Sequence, residues 1–158
     1  MSNFDTKRSN LIKKKSEIYS KSENLEKQSE SLEGKRKEVE DAKAEVPTDL
    51  PEEIKAQIDA QFENADKQID DMADDISDKI NDVQRDADET ISEMESLGDE
   101  LGEKSSELSA LKEVPLVGAF LDAKAQQLGD YKNQMFDLSK DTQKYRDKLE
   151  ESIRRLRR

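Results

Sequence analysis

Phe4, Leu11, Ile18, Leu25, Leu32, Val39 and Val46 form an unbroken ladder at intervals of seven through a stretch otherwise rich in lysine, serine and glutamate. An apolar residue that returns every seven positions stays on one side of an α-helix only if that helix leans on a partner along its length. The first third of the chain therefore predicts a helix laid against other helices. Further along, Ile58, Ile69, Ile80 and Ile91 recur at intervals of eleven, with Ile54, Ala65, Ile76 and Ala87 four residues before each. Met72, Val83 and Met94 follow the last three isoleucines by three residues. An eleven-residue repeat corresponds to about 3.67 residues per turn and predicts a nearly straight or slightly right-handed seam in the second helix. From Leu97 the apolar positions Leu101, Leu108 and Leu111 resume heptad-like spacing, after Gly98 and Gly102 have taken two expected apolar positions. Two glycines in a helix cost about 1 kcal/mol each relative to alanine and mark either a bend or a close helix contact. The last third reads as heptads again: Val117, Leu121, Leu128, Tyr131, Met135, Leu138, Tyr145, Leu149 and Leu156, interrupted by Lys124, Thr142 and Ser152.

Two proline-containing breaks separate these patterns. In Val46 to Pro51 each proline disfavours helix at the residue before it, and Asp49 with Glu52 fits an N-terminal capping pair for the helix that follows. Glu113-Val114-Pro115 is the second break, followed by the small apolar run Leu116-Val117-Gly118-Ala119-Phe120-Leu121. The predicted fold is all-α: an elongated antiparallel three-helix coiled-coil bundle in a single domain, residues 1-158, with a long central helix. The helices are expected over about 3-45, 52-113 and 116-158. Folding back at the first break is expected to bring Lys14 and Lys15 beside Asp82 and Asp86, and at the second to bring Arg158 beside Met72.

Composition narrows this picture. Of 158 residues 42% are charged and 4% aromatic, and Leu, Ile, Val and Phe together make about 20%, a level at which highly charged chains are commonly disordered. Helical spacing of the scarce apolar residues argues for order, since a coiled coil needs only two seam positions in seven. The net charge of −12 is concentrated in the second helix, where residues 52-113 hold 21 acidic and 6 basic side chains. Both chain ends are basic, so charge pairing is expected to select helix register more than to supply stability. Lys7, Lys14, Lys21 and Lys35 stand three residues after ladder positions, where a strong coiled coil has its second apolar residue. The first helix is thus read as a weak seam, supported by lysine stems lying across apolar surface. Ile12 and Tyr19, one position beyond the ladder, either widen that seam or form an exposed contact.

Catalytic and cofactor chemistry finds little footing. With no cysteine and no histidine, the chain lacks thiolate nucleophiles, zinc clusters and the Glu-x-x-His pairs of di-iron bundles. The nine carboxylates between Asp70 and Glu89 run along a helix without the glycine-bearing loop of a calcium site, so no metal and no cofactor are expected. The chain is read as no enzyme. A lipid-surface role for the second helix is opposed by its aspartates, because such helices usually present lysines. The terminal arginines Arg154, Arg155, Arg157 and Arg158 complement a helix C-terminus, and the overall negative charge disfavours nucleic acid. No apolar run approaches the roughly twenty residues of a membrane span, and the first residues lack a secretory h-region. Cytoplasmic location is the default expectation, with signal-independent export left open.

These readings converge on a non-enzymatic helical interaction protein, an adaptor, assembly factor or structural subunit that packs against a helical partner or a second copy of itself. Candidate partner-binding residues are Phe4, Leu11, Ile12, Ile18, Tyr19, Leu25 and Leu32 on the first helix. In size and acidity the chain also resembles the helical-hairpin substrates and adaptors of the type VII secretion route, which implies an alternative role as a small partner of a secreted toxin. The Trp-x-Gly turn of that family is absent, as the chain has no tryptophan, and Leu116-Val117-Gly118 at a helix junction does not replace it. A further alternative is an amphipathic lipid-surface or protectant helix protein.

Overall fold

A computed structural model describes residues 2–157, with the side chain of Ser2 left aside. The chain forms three helices, α1 (Ser2–Glu45), α2 (Glu52–Ser109) and α3 (Gly118–Leu156), packed as an all-α bundle. Among the described residues no helix is long and apolar enough to cross a membrane. Two compact units divide the bundle, and each takes a segment of all three helices. Unit 1 contains residues 1–20 and 84–147, and unit 2 contains residues 21–83 and 148–158.

Unit 1 is organised around a buried cluster of Leu11, Met94, Leu97, Leu101, Leu128 and Met135, against which Phe4, Leu108, Tyr131 and Leu138 pack half-buried. Met94 and Met135 are fully buried, and Thr142 joins them with its hydroxyl donated to the Leu138 carbonyl at 2.8 Å and lying 3.8 Å from the Met94 sulfur. Thr142 is thus a buried polar residue whose hydroxyl is satisfied inside its own helix, which is what allows it at a seam position. In unit 2 the buried apolar residues are Leu25 and Leu32 from α1, Ile69, Ala73, Ile76, Ile80 and Val83 from α2, and Leu149, Ile153 and Leu156 from α3.

Burial along α2 follows a different period from the one its isoleucines suggest. Ile69, Ala73, Ile76, Ile80, Val83, Ala87, Thr90, Met94, Leu97 and Leu101 are buried, at alternating steps of four and three. Ile91 is half-buried, and Ile54 and Met72 are exposed. Small and polar residues, Ala73 and Thr90, hold seam positions that a reading based on large apolar residues passes over. The same occurs in α3, where Ala125, Ser139 and Ile153 are buried while Val117 is exposed and precedes the helix.

The register between α1 and α2 also differs from a simple fold-back at the first proline break. Lys14 Nζ lies 2.9 Å from Glu93 and Lys15 Nζ 3.0 Å from Asp141, in place of the expected Asp82 and Asp86. In unit 2, Lys43 meets Asp66 at 2.7 Å. The connection explains the offset. Val46, Pro47 and Thr48 line one groove with Lys55, Asp59 and Phe62, so the non-helical residues run alongside the first turns of α2. The connection thus occupies the space beside the start of α2, and Lys43 meets Asp66, well inside that helix, instead of a residue near its first turn. Pro51, whose carbonyl accepts the Lys55 N–H at 3.0 Å, immediately precedes α2, so the Asp49–Glu52 capping pair lies two residues too early. The Arg158 end of the second fold-back expectation lies outside the described residues.

Gly98 and Gly102 sit within the unbroken α2 helix as sites of close approach. A Cβ at Gly98 would stand 3.0 Å from the Phe136 ring, and one at Gly102 would stand 3.2 Å from the Lys132 side chain. Gly34 faces open space. Substituting Gly34→Ala is expected to raise unfolding stability by about 0.5–1 kcal/mol through helix propensity alone. Gly98→Ala is expected to gain less than Gly34→Ala or to lose stability, because Phe136 must move. Urea titration of the two variants checks the order, and an equal gain at both positions would rule out a constraint at Gly98.

Candidate functional site

Helix α1 carries the candidate partner-binding residues, and its burial pattern explains what kind of surface it makes. Leu11, Ile18, Leu25 and Leu32 are buried, Phe4 is half-buried, and Ile12 and Tyr19 are exposed at 45% and 41%. The ladder leucines and isoleucine thus face into the bundle, and only Ile12 and Tyr19 of the seven candidates present substantial apolar surface outward.

The second inward-facing set of α1 falls four residues after each ladder position and is polar throughout: Arg8, Lys15, Ser22, Ser29, Arg36 and Lys43, all buried or half-buried. Lys7, Lys14, Lys21 and Lys35, three residues after the ladder, are exposed. Half of the α1 seam is therefore made of groups that must find partners. A heptad seam alternates steps of four and three in either phase, and six polar side chains gave no apolar signal by which the phase was legible.

Most members of the polar set find partners, each in its own way. The Arg8 guanidinium lies over the Tyr131 ring, 4.5 Å from its centroid, and donates to the Gln134 side-chain oxygen at 3.4 Å. Lys15 pairs with Asp141. Ser29 donates to the Leu25 carbonyl four residues earlier at 2.9 Å, so its helix satisfies it. Arg36 donates to the Leu156 carbonyl at 2.7 Å and lies 3.7 Å from Asp70. This places a cation on the C-terminal carbonyls of α3, where the helix leaves acceptors unmet and the macrodipole favours positive charge. Lys43 donates to Asp66 and, at 3.3 Å, to Glu40. Ser22 is 6% exposed and its hydroxyl has no hydrogen-bond partner, and the Nε of Arg8 is likewise buried without one.

Beside this seam, α1 and α3 of unit 1 make two aromatic contacts, about four helical turns apart along α3. Tyr19 and Tyr145 have ring centroids 4.9 Å apart at an interplanar angle of 54°, and Tyr131 lies under Arg8 and accepts from Gln127 at 3.0 Å. Stacked rings and a guanidinium on a ring face are contacts that persist at a half-exposed surface, because part of their attraction is electrostatic. On the other side of α1, Leu11 and Leu97 floor a groove of about 650 Å³ whose rim includes Lys7, Lys14, Glu93 and Glu100. Lys14–Glu93 at 2.9 Å and Lys7–Glu100 at 3.9 Å bridge that rim. Among the described residues no group of three or more carboxylates converges in a way that would hold a metal ion. The C-terminal Arg155 pairs with Glu30 of α1 at 3.8 Å and Glu151 at 3.9 Å, and Arg146 lies 2.6 Å from an Asp88 oxygen. The Arg146 Nε–H does not point along that short contact well enough to form a hydrogen bond, so the pair is held by charge.

Two expected outcomes follow from the polar seam. Ser22→Ala removes an unmet buried hydroxyl and is expected to raise stability by about 1 kcal/mol, whereas Ser29→Ala, which removes a satisfied one, gains less. Chemical denaturation of both variants measures this, and a loss of stability in Ser22→Ala would mean that its hydroxyl is engaged. The hydrogen bond to Asp66 is the main influence raising the pKa of Lys43 above the usual lysine value of 10.5, partly offset by desolvation and aided by Glu40. A raised lysine pKa contributes stability that is fully present below the usual value and is lost as pH rises through the raised one. Lys43→Met is therefore expected to be less stable than the parent at neutral pH, with the difference closing above pH 10.5. A gap that persists unchanged at alkaline pH would assign the effect to packing.

No family model matches this sequence, and comparison with curated proteins and with solved structures finds no similar chain.

Proposed function

We propose that the protein is a non-enzymatic helical interaction protein, an adaptor or assembly factor, and that α1 is the element through which it engages a helical partner. The observation that carries this reading is the composition of the α1 seam, in which every apolar residue of the ladder alternates with Arg, Lys or Ser. Packing an apolar side chain contributes about 1.5–3 kcal/mol, whereas ion pairs at half-exposed positions contribute about 0–1 kcal/mol. A helix held this way is bound less firmly than one with two apolar rows, so a partner helix is able to compete for its surroundings or to lie beside it. Ile12 and Tyr19, with Tyr145 against Tyr19, offer the apolar contact on the outward side of α1. The absence of cysteine and histidine supports a role in binding over catalysis.

A photo-reactive amino acid placed at Ile12 or Tyr19 in the cells of origin tests the reading. Cross-linking to one helical protein is expected at both positions and not at Gly34, followed by loss of the product when Tyr19→Asp is combined with the probe at Ile12. Products confined to the chain itself, or equal labelling at Gly34, would overturn it.

A further inference from the structure

The connection between α2 and α3 in unit 1 has properties that the packing of the helices does not account for. Of the nine large apolar side chains exposed among the described residues, five lie between positions 111 and 120: Leu111, Val114, Leu116, Val117 and Phe120. Leu116 stands wholly in solvent at 105% exposure and adopts a positive φ of 74°. A branched side chain at positive φ is disfavoured, and burying a leucine contributes to folding, so this position forgoes both. The backbone around it is nonetheless ordered by hydrogen bonds, Val114 N–H to Leu111 O at 3.1 Å, Gly118 N–H to Val114 O at 2.8 Å and Leu121 N–H to Val117 O at 2.9 Å. Gly118 permits the turn to close, since a Cβ there would fall 2.0 Å from the Lys112 carbonyl oxygen. The connection is a formed turn that holds apolar side chains outward.

Charge and shape indicate what it meets. Residues 110–121 carry only Lys112 and Glu113 as charged side chains, and Lys124, one turn after Phe120 in α3, lies 5.5 Å over the Phe120 ring, so this end avoids the negative charge that dominates a chain of net charge −12. A second copy is a poor match, because five side chains fall far short of the roughly 20–30 residues a side in a stable interface. The described grooves of the chain are moreover edged by charged residues such as Lys7, Glu93, Asp70 and Arg157. A protruding, neutral, apolar turn fits a yielding apolar medium. We propose that this turn inserts into the interfacial region of a zwitterionic lipid bilayer, with Leu116, Val117 and Phe120 as the inserting side chains. The contact is separate from the aspartate-bearing face of α2, and it neither requires nor excludes the helix-packing role proposed above.

The chain has no tryptophan, so Phe120→Trp supplies a single indole at the turn, excited selectively over the three tyrosines at long wavelength. With phosphatidylcholine vesicles, the full-length Phe120→Trp protein is expected to show a blue shift in emission and quenching by bromine-labelled acyl chains. Adding Leu116→Gly, which suits the positive φ and so keeps the turn, is expected to weaken partitioning by at least about tenfold with unchanged helical circular dichroism. Replacing part of the lipid with phosphatidylserine is expected to give no gain, because the net charge of the chain opposes it. Three results would overturn the proposal: emission unchanged by vesicles, which would leave the turn to a protein pocket; binding seen only with phosphatidylserine, which would point to the basic termini; or a lipid-free dimer by light scattering that Leu116→Gly abolishes.

Discussion

The bundle depends on a narrow constraint: α1 supplies one row of apolar side chains where packed helices ordinarily supply two. Leu11, Ile18, Leu25 and Leu32 are each almost wholly buried, and between them stand Lys15, Ser22 and Ser29, with Arg8 and Arg36 at either end. Such a seam forces the neighbouring helices to provide for charged and hydroxyl groups as well as to cover methyl groups. Much of the remaining structure answers that demand. Asp66 and Asp141 receive lysines, Tyr131 receives a guanidinium, and the end of α3 offers its carbonyls to Arg36.

This division of labour assigns stability and specificity to different residues. The deeply buried side chains Ile80, Met94, Leu101, Met135 and Leu149 come from α2 and α3. Their burial supplies the main favourable term in folding. The polar partners of α1 contribute less energy, yet they penalise wrong registers, since a shift by one turn leaves Lys15 or Arg36 without its acceptor and facing apolar groups. A helix specified by polar contacts and held by few apolar ones is suited to exchange contacts with another helix. The proposed interaction role rests on that physical property and on the outward Ile12 and Tyr19.

The non-helical stretch from Val46 to Pro51 has an effect out of proportion to its length. By running along the start of α2 it sets which residues of α1 meet which residues of α2 in unit 2, so that Lys43 reaches Asp66. Shortening it would change the partners of the α1 cations while leaving each helix unaltered. The α2–α3 connection is of a different kind, a compact hydrogen-bonded turn that Gly118 makes possible and Leu116 crowns.

The sequence by itself determined the number of helices and the buried face of α1, because intervals of seven survive without knowledge of any partner and prolines interrupt helices for local reasons. It located Leu11, Ile18, Leu25 and Leu32 inside and marked Ile12 and Tyr19 as the residues beyond the ladder. It did not reveal the second row of α1, since Arg, Lys and Ser at seam positions look like surface residues until a tyrosine, an aspartate or a helix end is seen opposite them. In α2 it named most of the buried seam, Ile69, Ile76, Ile80, Val83, Ala87, Met94, Leu97 and Leu101, but passed over Ala73 and Thr90 and included the exposed Met72, because burial depends on what lies across the interface as well as on side-chain polarity. Gly98 was open to two explanations in sequence, and only the Phe136 ring opposite it decided for close approach. Local periodicity fixes which elements form; register, partner choice and the exposure of the apolar turn arise between elements distant in the chain, where tertiary packing alone sets the outcome.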